Sequence, residues 1–193
     1  MDFRTPGIIS TNSSTITDNG YIATAAHCVD YPSAQIRVRR RIWDRLGNQV
    51  DVYYDAGIVA IDRENDIAII KIDVDGHIPY LRLLNEKAID FEPTRSIVVL
   101  GYPFGVSRFD NLSITEGKIV SYQKIKNKRK VINLDCDLKQ GNSGSCIIDI
   151  ETGVVIGVFS GAHGIDCDEY KEEINYCIPV EYLWKLIKKN QED

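Results

Sequence analysis

No apolar run in this 193-residue chain approaches the ~18–20 residues a helix needs to cross a bilayer, so a helical membrane span is excluded. Between Met1 and Ser10 there is no basic segment followed by an apolar stretch, so no secretory signal peptide is expected. No C-x-x-C pair occurs, which removes the common structural zinc patterns, and neither a metal nor a cofactor is expected. The five cysteines, Cys28, Cys136, Cys146, Cys167 and Cys177, are odd in number and irregular in spacing, so they are no disulfide framework. Free thiols in a reducing cytoplasm are the expectation, with a Cys167–Cys177 bridge at the base of a hairpin the alternative in an oxidising compartment. Positive charge is in deficit, with 23 Lys and Arg against 28 Asp and Glu. The net charge of −5 argues against a nucleic-acid binder. Two basic stretches, Arg37–Arg41 and Lys124–Lys130, interleave with apolar residues at strand spacing and read as solvated hairpin faces. Histidine is scarce, at three residues, so few side chains can serve as an imidazole base.

Helical periodicity is almost absent, and strand signals fill the gap. Segments rich in Val, Ile, Tyr and Thr run over 21–24, 35–39, 50–54, 57–61, 67–72, 96–100, 113–120, 131–134, 145–150, 154–160 and 174–178. Turn signals such as Asp18-Asn19-Gly20, Gly47-Asn48, Asp75-Gly76 and Thr152-Gly153 punctuate them. The pattern predicts an all-β barrel or sandwich. A single helix is predicted over 180–190, opened by Pro179, with Val180, Leu183, Trp184 and Ile187 on one face. The charged, strand-poor stretch at about 85–93 reads as a linker between a first lobe (about 1–84) and a second (about 94–178) within one domain.

Three segments carry candidate chemistry. Gly141-Asn142-Ser143-Gly144 offers a hydroxyl on a turn that glycines allow to be tight, and the amides of Gly141 and Ser143 are candidates for an oxyanion hole. His27 comes directly after the strand-like Tyr21–Ala26. Asp66 precedes the apolar Ile67-Ala68-Ile69-Ile70, with Asp62 as the competing acid. A serine hydroxyl is a poor nucleophile at neutral pH; it needs an imidazole to take its proton and a carboxylate to orient that imidazole. His77 reads as a loop residue, and His163, in a glycine-rich stretch, as a candidate substrate contact.

With these residues in place, the chain resembles the chymotrypsin-like serine peptidases, and the HtrA (Deg) type most closely. Tyr21–Cys28 resembles the family's histidine strand and Asp66–Ile70 its aspartate strand. Val98–Gly105 resembles the segment reading Gly-Asn-Pro-Phe-Gly, Ile114–Ser121 the Thr-x-Gly-Ile-Val-Ser after it, and Asp135–Ser143 the approach to the nucleophile. Tyr176-Cys177-Ile178-Pro179 resembles the Phe-Ala-Ile-Pro before the last helix. The resemblance runs from about Gly20 to Lys188. It implies two six-stranded antiparallel β-barrels and then a C-terminal helix, with His27, Asp66 and Ser143 as the triad of a serine endopeptidase.

The resemblance further implies substrate contacts at Asp137, Leu138, Gln140, Ser160, Gly161 and Ala162, with substrate added as a strand along Ser160–Ala162. Asp137 stands where basic-specific members carry the acid at the floor of the pocket; Leu138 aligns with an apolar pocket residue of the HtrA type. Both a basic and a small apolar P1 preference are therefore open. Departures are also present. Cys28 has no cysteine upstream, which removes the trypsin-type disulfide. Asn142 replaces the aspartate that pairs with a new N-terminus. The segment before His27 is short, so the first barrel is expected to be trimmed or completed by residues outside it. No PDZ domain is expected after the helix. The implied partner is a protein or peptide substrate. Alternatives are a domain held inactive until a partner protein or larger assembly orders it, and a peptide-binding module without turnover.

Overall fold

The computed structural model describes residues 13–32, 35–88, 91–102, 112–124, 129–167 and 170–192. Its first lobe contains β1 (Ser14–Thr15), β2 (Tyr21–Thr24), β3 (Ile36–Trp43), β4 (Gln49–Asp62) and β5 (Ile67–Ile72). They form one antiparallel sheet in the order β1-β2-β5-β4-β3. The second lobe contains β6 (Ser96–Gly101), β7 (Ser113–Lys124), β8 (Lys130–Asp135), β9 (Cys146–Asp149), β10 (Val155–Cys167) and β11 (Tyr170–Pro179). These six close into a barrel in the order β10-β11-β8-β7-β6-β9. A helix, α1 (Val180–Glu192), ends the chain. The two-lobed, chymotrypsin-like all-β architecture is thus present. The first lobe differs from a six-stranded barrel: among the described residues its sheet has five strands and ends on β1 and β3.

Burial explains which strands sit at the centre. In β5, Ile67, Ala68, Ile69, Ile70 and Ile72 are all buried, because both of its edges are paired and both of its faces are covered. Fully burying each such isoleucine contributes roughly 1.5–3 kcal/mol. Ile22, Ile36, Ala68, Ile70 and Ile72 fill the first lobe, while Ile97, Val99, Ile119, Ile132, Ile147 and Phe159 fill the barrel. A third cluster joins the lobes: Ala23, Ile67 and Ile69 meet Val131, Val158 and Ile178, and α1 seals them with Val180, Leu183 and Leu186. The indole N–H of Trp184 donates to Leu84 O at 2.8 Å, which ties the interlobe connection to the helix. That connection also pairs with the barrel, since Leu84 N donates to Val155 O and Val155 N to Arg82 O, both at 2.8 Å.

The strand readings at 50–54 and 57–61 merge into the single 14-residue β4, and β1 has no counterpart among the predicted strands. Asp55 and Ala56, the gap between the two readings, are paired within β4, and a register shift between Ile58 and Ala60 bends the strand. In the Arg37–Arg41 stretch, Arg37 pairs with Asp55 at 3.4 Å, and Arg39 and Arg41 with Asp51 at 3.3 and 2.8 Å, all across the β3–β4 hairpin. Residues 125–128 of the second basic stretch, and the Pro103-Phe104-Gly105 motif, lie outside the described residues.

The side chain of Cys167 lies outside what the structure describes, so only backbone register bears on the Cys167–Cys177 alternative. Cys167 stands opposite Tyr170 at the tip of the β10–β11 hairpin, and Cys177 opposite Phe159 near its other end. Cys28, Cys136, Cys146 and Cys177 are free thiols. Burial pushes Cys136 up to about 12 and Cys146 up to about 11, so both remain protonated, poorly reactive packing groups. No helix among the described residues is long and apolar enough to cross a membrane.

Candidate active site

Strand pairing brings the first two candidate residues together. Thr24, the last residue of β2, stands opposite Ala68 near the start of β5. The segment just after β2 and the turn just before β5 are therefore neighbours. After β2 the buried Ala25 and Ala26 are small enough to let the chain turn at once into a 3-10 turn, Ala26–Cys28, which presents His27 at the surface. Before β5 a turn over 63–66 ends on Asp66, at φ 58° in the left-handed region that aspartate tolerates better than most residues. Asp62, the competing acid, does not point to His27. It accepts from Asn65 N at 3.0 Å and Asn65 Nδ2 at 2.7 Å and so shapes the turn that carries Asp66.

The contact between Asp66 and His27 is threefold. His27 Nδ1 lies 3.0 and 2.9 Å from the two carboxylate oxygens, and His27 N donates to Oδ1 at 2.9 Å. The Ser160 hydroxyl donates to Oδ2 from the other lobe. Burial works to raise the Asp66 carboxyl, but the bonds from the His27 ring, from Ser160 and from His27 N–H outweigh it and hold the group below its ordinary range. The Asp66 carboxylate in turn lifts the His27 imidazole well above its ordinary 6.5, helped by Cys28 and opposed by burial. The pair thus favours a proton on His27, the state in which an imidazole ends after acting as a base.

The candidate nucleophile sits on a turn clamped to β10. Asn142 N donates to Lys139 O at 3.1 Å, Gly144 N to Phe159 O at 2.9 Å and Ser145 N to Asn142 O at 3.0 Å; Phe159 N returns a bond to Ser145 O at 2.8 Å. Gly141 at φ 101° and Gly144 at φ 87° adopt backbone that a side chain would strain. The Ser143 amide donates to no acceptor among the described residues. The Ser143 hydroxyl donates to Ser160 O at 3.4 Å, and no hydrogen bond joins it to His27. Ser160 therefore touches both ends of the candidate triad: its carbonyl receives Ser143, and its hydroxyl serves Asp66.

Beside Ser143 opens a cavity of about 440 Å³ lined by Asp137, Leu138, Gln140, Phe159, Gly161 and Ala162, with Glu173 and Asn175 on the β11 side. Leu138 is buried and belongs to the barrel core. Asp137 does not form a buried floor. Its side chain is 79% exposed and ion-paired with Lys139, two residues on, which places its charge at the rim. The turn that would carry it inward is instead fixed by Leu138 N donating to Cys136 O at 3.0 Å and Asn175 Nδ2 donating to the same oxygen at 2.8 Å.

The other histidines lie elsewhere. His77 is 86% exposed and pairs with Asp18 at 2.8 Å. His163 packs on the ring of Tyr176, centroids 5.2 Å apart, and its Nδ1 is buried without a partner. Sequence reasoning assigned Ser160 to substrate and missed its bond to Asp66. The two are 94 residues apart, and only the closure of the barrel brings them together. No cluster of three or more His, Cys, Asp or Glu side chains suited to a metal ion occurs among the described residues.

The trypsin-like peptidase domain matches residues 9–158, a span that includes His27, Asp66 and Ser143. The chain is 30% identical over 162 residues to the serine protease HTRA1A of Danio rerio, covering 80% of this chain and 30% of that protein. It is 28% identical over 187 residues to the chloroplastic Protease Do-like 2 of Arabidopsis thaliana (89% and 26%), and 26% identical over 189 residues to the human serine protease HTRA3 (92% and 37%). The chain thus spans between about a quarter and somewhat over a third of the length of these relatives. By this match, and in keeping with its fold, the chain belongs to the trypsin-like peptidase domain family.

Proposed function

We propose that the chain is a serine endopeptidase domain that hydrolyses peptide bonds through an acyl-enzyme on Ser143. The observation that carries this reading is the convergence on Ser160. Ser143 and Asp66 both bond to that one residue, and Asp66 bonds His27, which supports reading the three as nucleophile, acid and base. His27 takes the proton from the Ser143 hydroxyl as it attacks the scissile carbonyl, and returns it to the leaving amine. Asp66 holds Nδ1–H, which directs Nε2 to the serine. The amides of Gly141 and Ser143 stabilise the oxyanion, worth about 3–4 kcal/mol per donor. The 3.4 Å bond from Ser143 to Ser160 O is long and weak, so a turn about Cα–Cβ redirects the hydroxyl when substrate arrives.

Substrate binds as an added strand along Ser160–Ala162, with the P1 side chain in the 440 Å³ cavity. Leu138 and Phe159 line that cavity, while the Asp137 charge is offset by Lys139 and faces water, so we assign a small apolar P1 preference. Basic P1 is the second reading, because Asp137 and Glu173 both border the cavity. Digestion of a peptide library decides: cleavage after Val, Ala or Leu supports the first, and cleavage after Arg or Lys overturns it. The free thiols support a reducing compartment such as the cytoplasm.

Gly101, at the end of β6, supports the nucleophile turn by close approach. A Cβ there would collide with Asn142 Oδ1 and meet Ser145 Oγ at 2.8 Å. Gly101→Ala displaces the turn and is expected to lower kcat/KM about 10²-fold while the far-UV circular dichroism spectrum is unchanged.

A further inference from the structure

We propose that Arg129 and Tyr176 are positioning residues for Asp66, gripping it from the second lobe through Ser160 and through its own turn. This builds on the reading of Asp66 as the triad acid. Arg129 lies immediately before β8 and Tyr176 on β11. Arg129 Nη2 is 3.4 Å from Tyr176 Oη, Tyr176 Oη is 3.3 Å from Ser160 Oγ, and Ser160 Oγ bonds Asp66 Oδ2. The guanidinium only donates and the carboxylate only accepts, so the hydroxyls between them align in one direction. Arg129 donates to Tyr176 Oη, Tyr176 O–H to Ser160 Oγ, and Ser160 O–H to Asp66. Each bond in such a row polarises the next.

The same guanidinium makes a second attachment. Arg129 Nη1 donates to Glu64 O at 3.4 Å, two residues before Asp66 in the turn that holds Asp66 at φ 58°. The Tyr176 ring also contacts the Arg129 guanidinium, 5.6 Å from its centroid, and the His163 ring, 5.2 Å between centroids. Each of these contacts is long and individually weak; together they link Arg129 both to the backbone turn and, through Tyr176 and Ser160, to the carboxylate of the acid across the lobe interface. Loss of Arg129 leaves Asp66 less well directed at His27. Among the described residues, the charged and titratable residues that contact this row are His27, Cys28, Glu64 (through its carbonyl), Asp66, Arg129, His163 and Tyr176.

The sign of one measurement separates positioning from simple charge. Deleting a nearby cation raises the proton affinity of an imidazole, because a repulsive charge is gone. Loosening Asp66 lowers it. His27 is titrated by NMR of its ring C–H in the Ser143→Ala protein, its signal identified by its loss in His27→Gln. The expected result is a midpoint that falls in Arg129→Ala, falls less in Tyr176→Phe, which keeps the bond to Glu64 O, and recovers in Arg129→Lys. In the Ser143 enzyme, Arg129→Ala lowers kcat about 10- to 100-fold with KM little changed. A midpoint that rises or stays fixed in Arg129→Ala, in protein whose melting curve shows it folded, overturns the proposal. Absence of peptidase activity in the unaltered chain would remove the endopeptidase reading, and the His27 titration would still decide the role of Arg129.

Discussion

Ser143→Ala is expected to lower kcat for peptide hydrolysis by about 10⁶-fold, to the level set by binding and the oxyanion donors alone. The size reflects the chemistry: without Oγ there is no atom to form the acyl-enzyme, and His27 has no proton to accept. Folding is expected to survive. Among the described residues the hydroxyl makes one hydrogen bond, the 3.4 Å contact to Ser160 O, and the turn itself is held by the amides of Asn142, Gly144 and Ser145. Steady-state hydrolysis of a fluorogenic peptide, paired with a thermal melt, checks both halves. A variant that folds and retains more than a few per cent of activity would mean that another group performs the attack.

Asp66→Asn is the second large effect, with kcat falling about 10⁴-fold. The amide keeps the shape of the carboxylate but offers an N–H where His27 and Ser160 both need an acceptor, so His27 takes the wrong tautomer. The pH dependence carries a second signature. In the unaltered enzyme Asp66 holds His27 above 6.5, so kcat/KM rises with pH along a limb centred above that value as the imidazole loses its proton. In Asp66→Asn the limb moves down toward 6.5. Stability depends on the same pair. The raised His27 contributes fully below 6.5 and loses its contribution as pH rises through its folded-state value. The lowered Asp66 contributes above 3.8 and loses its contribution as pH falls. The melting-temperature difference between the two proteins is therefore largest between about pH 4 and 6.5, as melts across that range would show.

Local signals explain why much of the fold was legible. Tyr21–Thr24 and Ile67–Ile72 were read to the residue, because their β-branched runs are bounded by Gly20 and by the turn at 63–66. The helix was visible from Pro179 and one apolar face. β4 was split at 55–56 because Asp55 and Ala56 are poor strand formers, whereas pairing with β3 and β5 holds the strand through them. β1, two residues long, has too little sequence to carry a pattern.

At the site, His27 and Asp66 were legible because each borders a distinctive strand. The parts that depend on long-range closure were not: the Ser160–Asp66 bond, the Arg129–Tyr176 row, and the outward turn of Asp137. Spacing placed Asp137 six residues before Ser143, but only the bonds to Cys136 O and the pairing with Lys139 decide which way it faces.

The most direct test of the account is labelling of the unaltered chain with a fluorophosphonate, then peptide mapping. The account predicts one adduct, on Ser143, which disappears in Ser143→Ala and forms far more slowly in His27→Ala. A folded protein that takes no label, or an adduct that persists in Ser143→Ala, would contradict it.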